Sequence, residues 1–522
     1  MVGDVDGDGD YELIMKWEAT NAHDQAQNGY TGLTFLSCYE IMGENEGQHL
    51  WDINLGPNVR SGSHYTEVLV YDFDGDGKAE VVCQTAAGTV DGNGNYVSAA
   101  ATDATIKNIS NTTLYANSNG FIANGPELLT VFNGQTGAAM HTIAYWPNRN
   151  AKAELSEASG TFNWGSPDGK NDTGTYGNRG ERYLAGTAYI DGPDNNASAI
   201  FSRGYYGYAY IWAVSFDGEK LIPRWLSSHE SKTSYKLTTW DAEGNVSSMT
   251  YSGFSPTSGS GSGTMFANGN HNMSVADVDG DGNDDIIWGS AALKHDGTLR
   301  YGTGFGHGDA IHLGQMIPDR EGFQVFQVHE EKGTYAWDLH DAATGEIIHK
   351  GGPAGVDNGR GIAAQLSTKD YSWWFSSASE REQRSASTGE VVSTANGNVN
   401  FRMYWDGDVQ DENKEISLSD AQKIEDDYEV GEDVSERVDF KRFGRRAILN
   451  LRQTLASKIL ELEHDSLYNK YKDRVGQVVS GEVYQVWKRE VLVVDEDNNE
   501  LILPKAEQIP NDQYRKGETI RA

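Results

Sequence analysis

The chain has 522 residues, and its 77 Asp and Glu outnumber its 42 Lys and Arg to give a formal net charge of −35 at pH 7. This balance argues against nucleic-acid binding by the chain as a whole, because phosphate contacts need clustered Lys and Arg, and it favours divalent cations. A hydrophobic content of 38% with 13 Trp and 26 Tyr is enough for a folded core, and the sequence lacks the run of about 18 apolar residues that a membrane-spanning helix needs.

Residues 1–408 are predicted to be mainly β. Short β-branched and aromatic runs alternate there with turns rich in Gly, Asn and Asp, a pattern typical of strands. The clearest predicted strands are Leu13–Trp17, Glu67–Tyr71, Glu80–Gln84, Leu128–Phe132, Ala209–Val214, Asp285–Trp288 and Phe323–Val328. Repeated strand–turn units of about 40–70 residues favour a β-propeller over a β-sandwich.

Three acidic segments in this region share one spacing, with carboxylates at positions 1, 3, 5 and 9 and glycine at positions 4 and 6. Their carboxylates are Asp4, Asp6, Asp8 and Glu12; Asp72, Asp74, Asp76 and Glu80; and Asp277, Asp279, Asp281 and Asp285. Oxygen ligands at this density suit Ca²⁺, and the glycines let the loop wrap around the ion. An EF-hand needs Glu at position 12, where this chain has Met15, Cys83 and Trp288. We therefore expect calcium loops at strand entries that stabilise the fold between blades; the alternative is solvated acidic turns.

The last part of the chain has another composition, since only 5 of the 60 Gly lie after Asp408. Leucine and isoleucine recur at helical spacing between residues 440 and 471, which predicts a helix. Apolar residues then alternate from Gly476 to Leu503, which predicts a small β-meander. We place domain boundaries at 1–408, 409–474 and 475–522.

A set of motifs covers nearly all of residues 1–408 and carries a resemblance to one family. The motifs are Val2–Gly9, Lys16–Trp17, Asn28–Gly32, His64–Thr66, Val70–Glu80, Arg203–Tyr206, His271–Gly282, Gly306–His312, Phe326–Glu330, Asp341–Glu346, Gly359–Gly361 and Tyr404–Asp408. They resemble polysaccharide lyase family 11, the rhamnogalacturonan lyases. The resemblance implies an eight-bladed calcium-binding β-propeller with a central active cleft. It also implies β-elimination at galacturonate in rhamnogalacturonan I, the pectin backbone, with endo or exo action left open.

The resemblance also implies roles for single residues. His271 and His307 match cleft positions and are the expected catalytic residues, as calcium or substrate contacts; the alternative for each is a hydrogen-bonded packing role. Arg360 and Arg203 are the expected substrate-binding residues, although Arg203 is equally compatible with a structural role. The family's Asn-Gly-Thr-Lys motif, whose lysine is an expected catalytic participant, does not occur in this sequence. We therefore expect a lyase that lacks its closing blade, with impaired activity and no identified general base.

Residues from about 411 onward resemble a different protein family, the transcription factor NusA. The matching stretches are Glu412–Asp420, Asp427–Gly431, Gly444–Gln453, Val478–Val483 and Leu503–Gln508. They imply a helical fragment of the polymerase-binding domain, followed by part of an S1, OB-type RNA-binding domain. Trp487, Lys488 and Arg489 could form its RNA surface; the alternative is a packed strand and a solvated turn.

Three functions from different classes stay open. The first is a calcium-dependent rhamnogalacturonan lyase, monomeric, and secreted, periplasmic or on the cell surface. The second is a non-catalytic, calcium-stabilised propeller that binds pectin, which the missing lysine motif favours. The third is a cytoplasmic transcription or RNA-binding factor, with RNA or RNA polymerase as partner only if the tail functions. Because the two parts belong to different compartments, we expect a chimera joined near Asp406–Glu412 and truncated at both ends, which a genomic read across codons 400–420 would test.

Overall fold

The computed structural model describes residues 1–25, 27–42, 45–62, 64–153, 155, 162, 164, 179–330, 335–352, 358–366, 371–377, 382–394, 472, 476–495 and 499–521. The chain divides into two compact units, residues 1–419 with 429–431 and residues 420–428 with 432–522. The predicted helix between 440 and 471 and the predicted boundaries near 408 and 474 lie outside the described residues.

The described part of the first unit consists of six antiparallel sheets built from consecutive strands, which confirms the mainly β prediction. Sheets 1 to 3 contain β1 (Val2–Gly3), β2 (Glu12–Trp17), β3 (Phe35–Glu40) and β4 (His49–Asn54); β5 (Val68–Tyr71), β6 (Glu80–Ala86), β7 (Glu127–Phe132) and β8 (Ala139–Ala144); and β9 (Tyr183–Ala188), β10 (Ser198–Arg203), β11 (Ala209–Phe216), β12 (Leu221–His229), β13 (Ser234–Trp240) and β14 (Val246–Ser252). Sheets 4 to 6 contain β15 (Gly269–Ala276), β16 (Asp285–Gly289), β17 (Ala291–Leu293) and β18 (Leu299–Gly302); β19 (Ile311–Gly314), β20 (Gln324–Val328), β21 (Trp337–Asp341) and β22 (Ile347–Gly351); and β23 (Gly361–Gln365), β24 (Trp373–Ser377), β25 (Gln383–Ser385) and β26 (Val391–Ser393).

Each of the predicted strands falls on an observed one. Helix is scarce among the described residues: a 3₁₀ turn at Val97–Ala100 and the short helix α1 (Ala104–Lys107) lie between β6 and β7. In the part of the chain that the structure describes, no helix is long and apolar enough to span a bilayer.

Consecutive sheets pack against each other face to face, because successive residues of a strand point to opposite faces. On β6, Val81 packs with Trp51 of sheet 1, whereas Val82 packs with Trp212 of sheet 3. The middle strands therefore bury both faces and carry near-continuous apolar runs, as in β7 and β10. Further clusters join sheet 3 to sheet 4, sheet 4 to sheet 5 and sheet 5 to sheet 6.

The first strands of neighbouring sheets are also in contact, in the order β1, β5, β9, β15, β19 and β23. Loops that precede the first strands therefore converge at one edge of the unit. The hairpins that connect first and second strands lie at the other edge.

All six sheets share one irregularity, a β-bulge where the third strand pairs with the fourth. In each sheet one residue of the fourth strand is left without a partner in the register, and these residues are Leu50, Met140, Arg224, Arg300, Ile348 and Val392. A bulge of this kind bends the strand and aims its extra side chain away from the regular ladder. Four of these side chains are apolar, and two are arginines.

The described part of the second unit is one four-stranded antiparallel sheet in the order β29-β28-β27-β30. Its strands are β27 (Ser480–Val486), β28 (Glu490–Val494), β29 (Glu500–Pro504) and β30 (Thr519–Arg521). Val483, Val491 and Val493 form its small core. The β-meander predicted from the alternation of apolar residues is confirmed.

Candidate functional site

The three acidic segments form hairpins of one kind. They connect the first strand to the second in sheets 1, 2 and 4, at the edge opposite the loops that precede the first strands. In each hairpin the aspartate at position 1 accepts hydrogen bonds from the backbone N–H groups of the glycines at positions 4 and 6. In the second loop these bonds run from Gly75 and Gly77 to Asp72, at 2.7 and 2.9 Å.

The glycines at positions 4 and 6 have positive φ angles in every loop, for example 78° at Gly75 and 88° at Gly77. This left-handed backbone, which residues with a Cβ adopt only at a cost, turns the carboxylates toward a common centre. Ligand oxygens then lie within 4.8 Å of one another in three sets: Asp4, Asp6 and Asp8; Asp72, Asp74 and Glu80; and Asp277, Asp279 and Asp285. Glu12, Asp76 and Asp281, which the sequence spacing also predicts as ligands, are not members of these sets.

The acidic residue at position 9 is buried in each loop, with side-chain oxygens that accept from the backbone of position 2. Burial raises the pKa of the Glu12 carboxyl to about 7 and that of Glu80 to about 8, against the lowering effect of those backbone bonds. The Oε1 atom of Glu12 is buried without a hydrogen-bond partner. An orphaned carboxylate oxygen inside an acidic loop fits a bound cation.

The third loop differs, because an arginine lies inside it. The Nη2 atom of Arg300 donates to Asp279 at 2.8 Å and to both oxygens of Asp285 at 2.7 and 2.8 Å. Burial raises the pKa of Asp285, and Arg300 opposes that rise.

A second cluster lies at the opposite edge of the first unit. His271, near the start of β15, and His307 and Asp309, just before β19, have ligand atoms within 4.8 Å of one another. Asp309 Oδ1 is 3.2 Å from His271 Nε2 and 3.6 Å from His307 Nε2. Glu330, which follows β20, reaches to 3.8 Å from His307 Nε2. We call His271, His307, Asp309 and Glu330 the central cluster.

Two atoms of the central cluster are buried without a hydrogen-bond partner: His307 Nε2 and Asp309 Oδ1. The other ring nitrogen of His307, Nδ1, lies 2.8 Å from the carbonyl oxygen of Gly269. Since a carbonyl can only accept, Nδ1 carries the proton and the Nε2 lone pair faces Asp309. Two orphaned, electron-rich atoms facing each other suit a cation.

The protonation states of the central cluster agree with this geometry. Burial lowers the pKa of His307, and it lowers that of His271 to about 3, so both imidazoles are neutral at neutral pH. Burial acts to raise the pKa of Asp309, but the neighbouring His307, His271 and Glu330 side chains hold it down to about 2. The cluster therefore offers two neutral imidazoles and the Asp309 carboxylate, with Glu330 at its edge.

The backbone between the ligands is packed too closely for any side chain. A Cβ at Gly308, between His307 and Asp309, would lie 1.7 Å from the carbonyl oxygen of Val328. Only glycine lets both ligands stand on the same tight turn.

Aromatic and charged side chains surround the central cluster. Tyr206 reaches His271 Nε2 through its hydroxyl at 3.1 Å, and the Arg179 guanidinium lies 3.5 Å from the centre of the Tyr206 ring. The ring of His64 meets that of His271 edge to face at 5.9 Å, and its Nδ1 lies 3.0 Å from an oxygen of Asp24.

The two arginines predicted to bind substrate lie in different environments. Arg360, just before β23, leaves 70% of its side chain exposed, and its Nη1 is 3.5 Å from Asp309 Oδ2. Arg203 at the end of β10 is entirely buried, with Glu127 and Glu181 each 3.0 Å from its guanidinium. A substrate cannot reach Arg203, so its predicted substrate-binding role is wrong, and it holds a buried ion network instead.

Sequence reasoning missed Asp309, Glu330, Tyr206 and His64 as site residues, although all four lie in motifs that carried the family resemblance. The signal for Asp309 was its position two residues after His307. Two other histidines of the family motifs make contacts of a different kind: His312 Nε2 is 3.4 Å from the Gly361 carbonyl, and His329 is buried against Asp338 at 2.6 Å.

The chain is similar to known proteins over both units. The sequence profile of rhamnogalacturonan lyase family 11, C-terminal domain, matches residues 1–250 and 233–515. Rhamnogalacturonan exolyase YesX of Bacillus subtilis is 41% identical over 421 residues, which cover 78% of this chain and 58% of that protein. Rhamnogalacturonan endolyase YesW of the same organism is 41% identical over 411 residues, covering 78% of this chain and 56% of the relative.

The crystal structure of YesW superimposes with a TM-score of 0.62 at 39% identity, covering 78% of this chain and 59% of that one. The chain thus spans somewhat more than half the length of these relatives. The transcription termination/antitermination protein NusA of Thermus thermophilus is 36% identical over 113 residues, which cover 22% of this chain and 29% of that protein.

Proposed function

Because the chain belongs to rhamnogalacturonan lyase family 11, we propose that its first unit is a calcium-dependent lyase that cleaves rhamnogalacturonan I by β-elimination at galacturonate. The observation that carries the proposal is the central cluster, in which His307 Nε2 and Asp309 Oδ1 face each other unpaired beside the exposed Arg360. YesX and YesW are both named for action on rhamnogalacturonan, one as an exolyase and one as an endolyase.

The sheet arrangement supports a β-propeller for this unit. Six consecutive sheets pack face to face, and their first strands touch in sequence order, as the blades of a propeller do around an axis. In that arrangement the loops before the first strands form the central cleft. His64, His271, His307 and Arg360 all stand on or next to such strands.

His271, His307 and Asp309, with Glu330 at their edge, are the residues that would hold the catalytic Ca²⁺. When bound there, the ion would neutralise the uronate carboxylate and make the C5 proton more acidic. Arg360 would hold the same carboxylate with its planar guanidinium. Tyr206 would keep the His271 ring in place through its hydroxyl. We assign no general base, since the family's Asn-Gly-Thr-Lys motif is absent from the sequence.

The acidic loops would bind Ca²⁺ in a structural role, distant from the substrate, because they lie at the opposite ends of the first strands. The loops also join neighbouring sheets. Ala79 of the second loop donates to the Asp4 carbonyl of the first at 2.7 Å, and Tyr189 of sheet 3 donates to Asp284 of the third loop at 2.7 Å. Calcium in such a loop would hold two sheets together.

One assay tests the lyase proposal. The protein is incubated with rhamnogalacturonan I, and the ultraviolet absorbance of the unsaturated product is followed with calcium and with chelator. We expect absorbance to rise in calcium only, and to rise about 10²–10³-fold more slowly with the D309N variant. Glycan binding without any absorbance gain would favour the alternative, a non-catalytic pectin-binding propeller.

A second candidate function rests on the sheet of the second unit. Tyr484 and Trp487 are exposed, and Lys516 lies 5.0 Å from the centre of the Tyr484 ring. Aromatic faces beside a basic side chain suit single-stranded RNA, so we propose a partial S1, OB-type surface here. Filter binding of a labelled single-stranded RNA should weaken in the double variant Y484A/W487A. Unchanged binding would overturn this candidate.

The two functions belong to different compartments. We propose that the lyase part acts outside the cytoplasm as a monomer, and that the NusA-like part acts in the cytoplasm.

A further inference from the structure

The three acidic loops share one spacing, but their sheets differ at two positions, one in the loop and one in the fourth strand. The first difference is at position 9, which is Glu12 and Glu80 in loops 1 and 2 but the shorter Asp285 in loop 3. The second is the bulge residue of the fourth strand, which is Leu50 in sheet 1, Met140 in sheet 2 and Arg300 in sheet 4. Loop 3 thus combines a shorter carboxylate with a longer, cationic neighbour.

The guanidinium of Arg300 lies between the carboxylates of Asp279 and Asp285 in loop 3. Its Nη2 is within 2.8 Å of Asp279 and of Asp285, two of the three residues that could hold a metal ion in this loop. Calcium would need oxygens at about 2.3–2.6 Å, so it cannot be seated between those two carboxylates while the guanidinium is there.

The guanidinium is held in this position from two sides. Only 6% of the Arg300 side chain is exposed, and Nη1 also donates to the carbonyl oxygen of Ala343 in the hairpin of sheet 5 at 3.3 Å. Arg300 therefore joins sheet 4 to sheet 5 as well as neutralising loop 3. Its removal from the loop would break both sets of contacts.

Loop 1 shows the opposite arrangement. Its Glu12 Oε1 is buried without a hydrogen-bond partner, and among the described residues no ion pair reaches Glu12 or Glu80. The register-equivalent side chains, Leu50 and Met140, pack into the apolar clusters of sheets 1 and 2.

Sheet 3 repeats the arginine arrangement with a different turn. Its bulge residue is Arg224, whose Nη2 lies 2.7 Å from Asp191 in the hairpin between β9 and β10. An arginine at the bulge thus meets the acidic hairpin of its own sheet in both sheets that have one.

From these contacts we infer that Arg300 replaces calcium in the third loop, so that loops 1 and 2 bind Ca²⁺ and loop 3 does not. The bulge residue of the fourth strand selects the counter-ion: an apolar side chain leaves the loop to a metal ion, and an arginine supplies the charge from within the chain. The inference rests on the proposed calcium role of the first two loops.

Counting bound calcium tests the inference. The protein and its variants are saturated with CaCl₂, passed through a desalting column, and measured by inductively coupled plasma mass spectrometry. D72N should lose one ion per chain, whereas the matched D277N should lose none. R300M should gain one ion, and M140R, which places an arginine at the equivalent position of sheet 2, should lose one.

Circular dichroism checks that each variant is folded. R224M is the control, since its turn lacks the three-aspartate spacing and should gain no ion.

The loss of one ion in D277N, matching the loss in D72N, would overturn the inference while leaving calcium binding by the loops intact. A folded R300M chain with no added ion would overturn it as well. If D72N keeps its full count, the calcium role of the loops in the proposed function fails, and the inference fails with it. The D72N and D277N comparison decides the question even if R300M does not fold.

Discussion

Two regions of the first unit bury carboxylates, and they neutralise them differently. Around Arg203, Glu127 and Glu181 meet two arginines, and Arg149 is the second. In the central cluster, Asp309 meets the neutral imidazoles of His271 and His307, the Glu330 side chain, and the exposed Arg360 at 3.5 Å. The first region is closed and complete; the second has electron-rich atoms without partners. A buried carboxylate that has an internal guanidinium is structural, and one that lacks it is available to a cation.

The largest effect on stability should come from removing an arginine from the buried ion network around Arg203. R203M leaves Glu127 and Glu181 short of one buried charge, which should cost about 3–5 kcal/mol of unfolding free energy. Urea unfolding measures this cost. R224M is the matched control, because its pair with Asp191 is partly exposed and should be worth under about 1 kcal/mol. If R203M and R224M lose equal unfolding free energy, the buried ion network around Arg203 is no more important for stability than a partly exposed ion pair.

The next effect concerns the central cluster. D309N keeps the shape of the side chain but removes its charge, and it should lower kcat by about 10²–10³-fold, or about 2.7–4 kcal/mol. Its unfolding free energy at neutral pH should fall by on the order of 2 kcal/mol, because the lowered pKa of Asp309 means that the folded state stabilises the ionised carboxylate. Initial rates on rhamnogalacturonan I, with urea unfolding beside them, separate the two readouts. If D309N is destabilised yet as active as the wild type, Asp309 has a structural role and not a catalytic one.

A smaller effect is expected from pH in the absence of calcium. The pKa of Glu12 is raised to about 7 and that of Glu80 to about 8, so the folded state holds protons that the unfolded state has released. Stability from these groups is therefore present at low pH and lost as pH rises through their folded pKa values. Between pH 7.5 and 8.5 the buried histidines contribute little slope, because they are neutral in the folded state and an unfolded histidine, with a pKa of about 6.5, is already mostly deprotonated.

In chelator, the unfolding free energy should thus fall by on the order of 1 kcal/mol between pH 7.5 and 8.5. Saturating calcium should abolish the fall, because the ion favours the ionised carboxylates. E80Q is the control and should lose most of the pH dependence in chelator. A fall that persists unchanged in calcium would contradict a cation role for the loops.

The smallest effect should come from Arg360. R360K keeps the charge but loses the planar two-point contact, so kcat/KM should fall about tenfold, with folding unchanged because the side chain is mostly exposed. Steady-state kinetics on rhamnogalacturonan I measures it. An unchanged kcat/KM would show that Arg360 does not touch the substrate.

Much of this protein could be predicted from local sequence. The loops are nine consecutive residues, so the spacing predicts that carboxylates converge in each loop, although Glu12, Asp76 and Asp281 are not members of the sets. Gly75 and Gly77 in the second loop have the positive φ that the spacing requires. Strand positions can also be predicted from local sequence, because apolar runs and the turn residues between them are short-range patterns. The same locality explains the correct prediction of a meander after Gly476.

The tertiary structure alone decided the rest, because contacts between distant residues carry no local signal. His271, Asp309 and Arg360 stand at the starts of three different sheets, and only the packing of those sheets brings them within reach of one another. Arg203 lies in a family motif as a charged residue, yet its environment makes it structural, since burial depends on the surrounding sheets. Arg300 is one more basic residue in the sequence; the bulge in its strand turns it into the charge that completes the third loop.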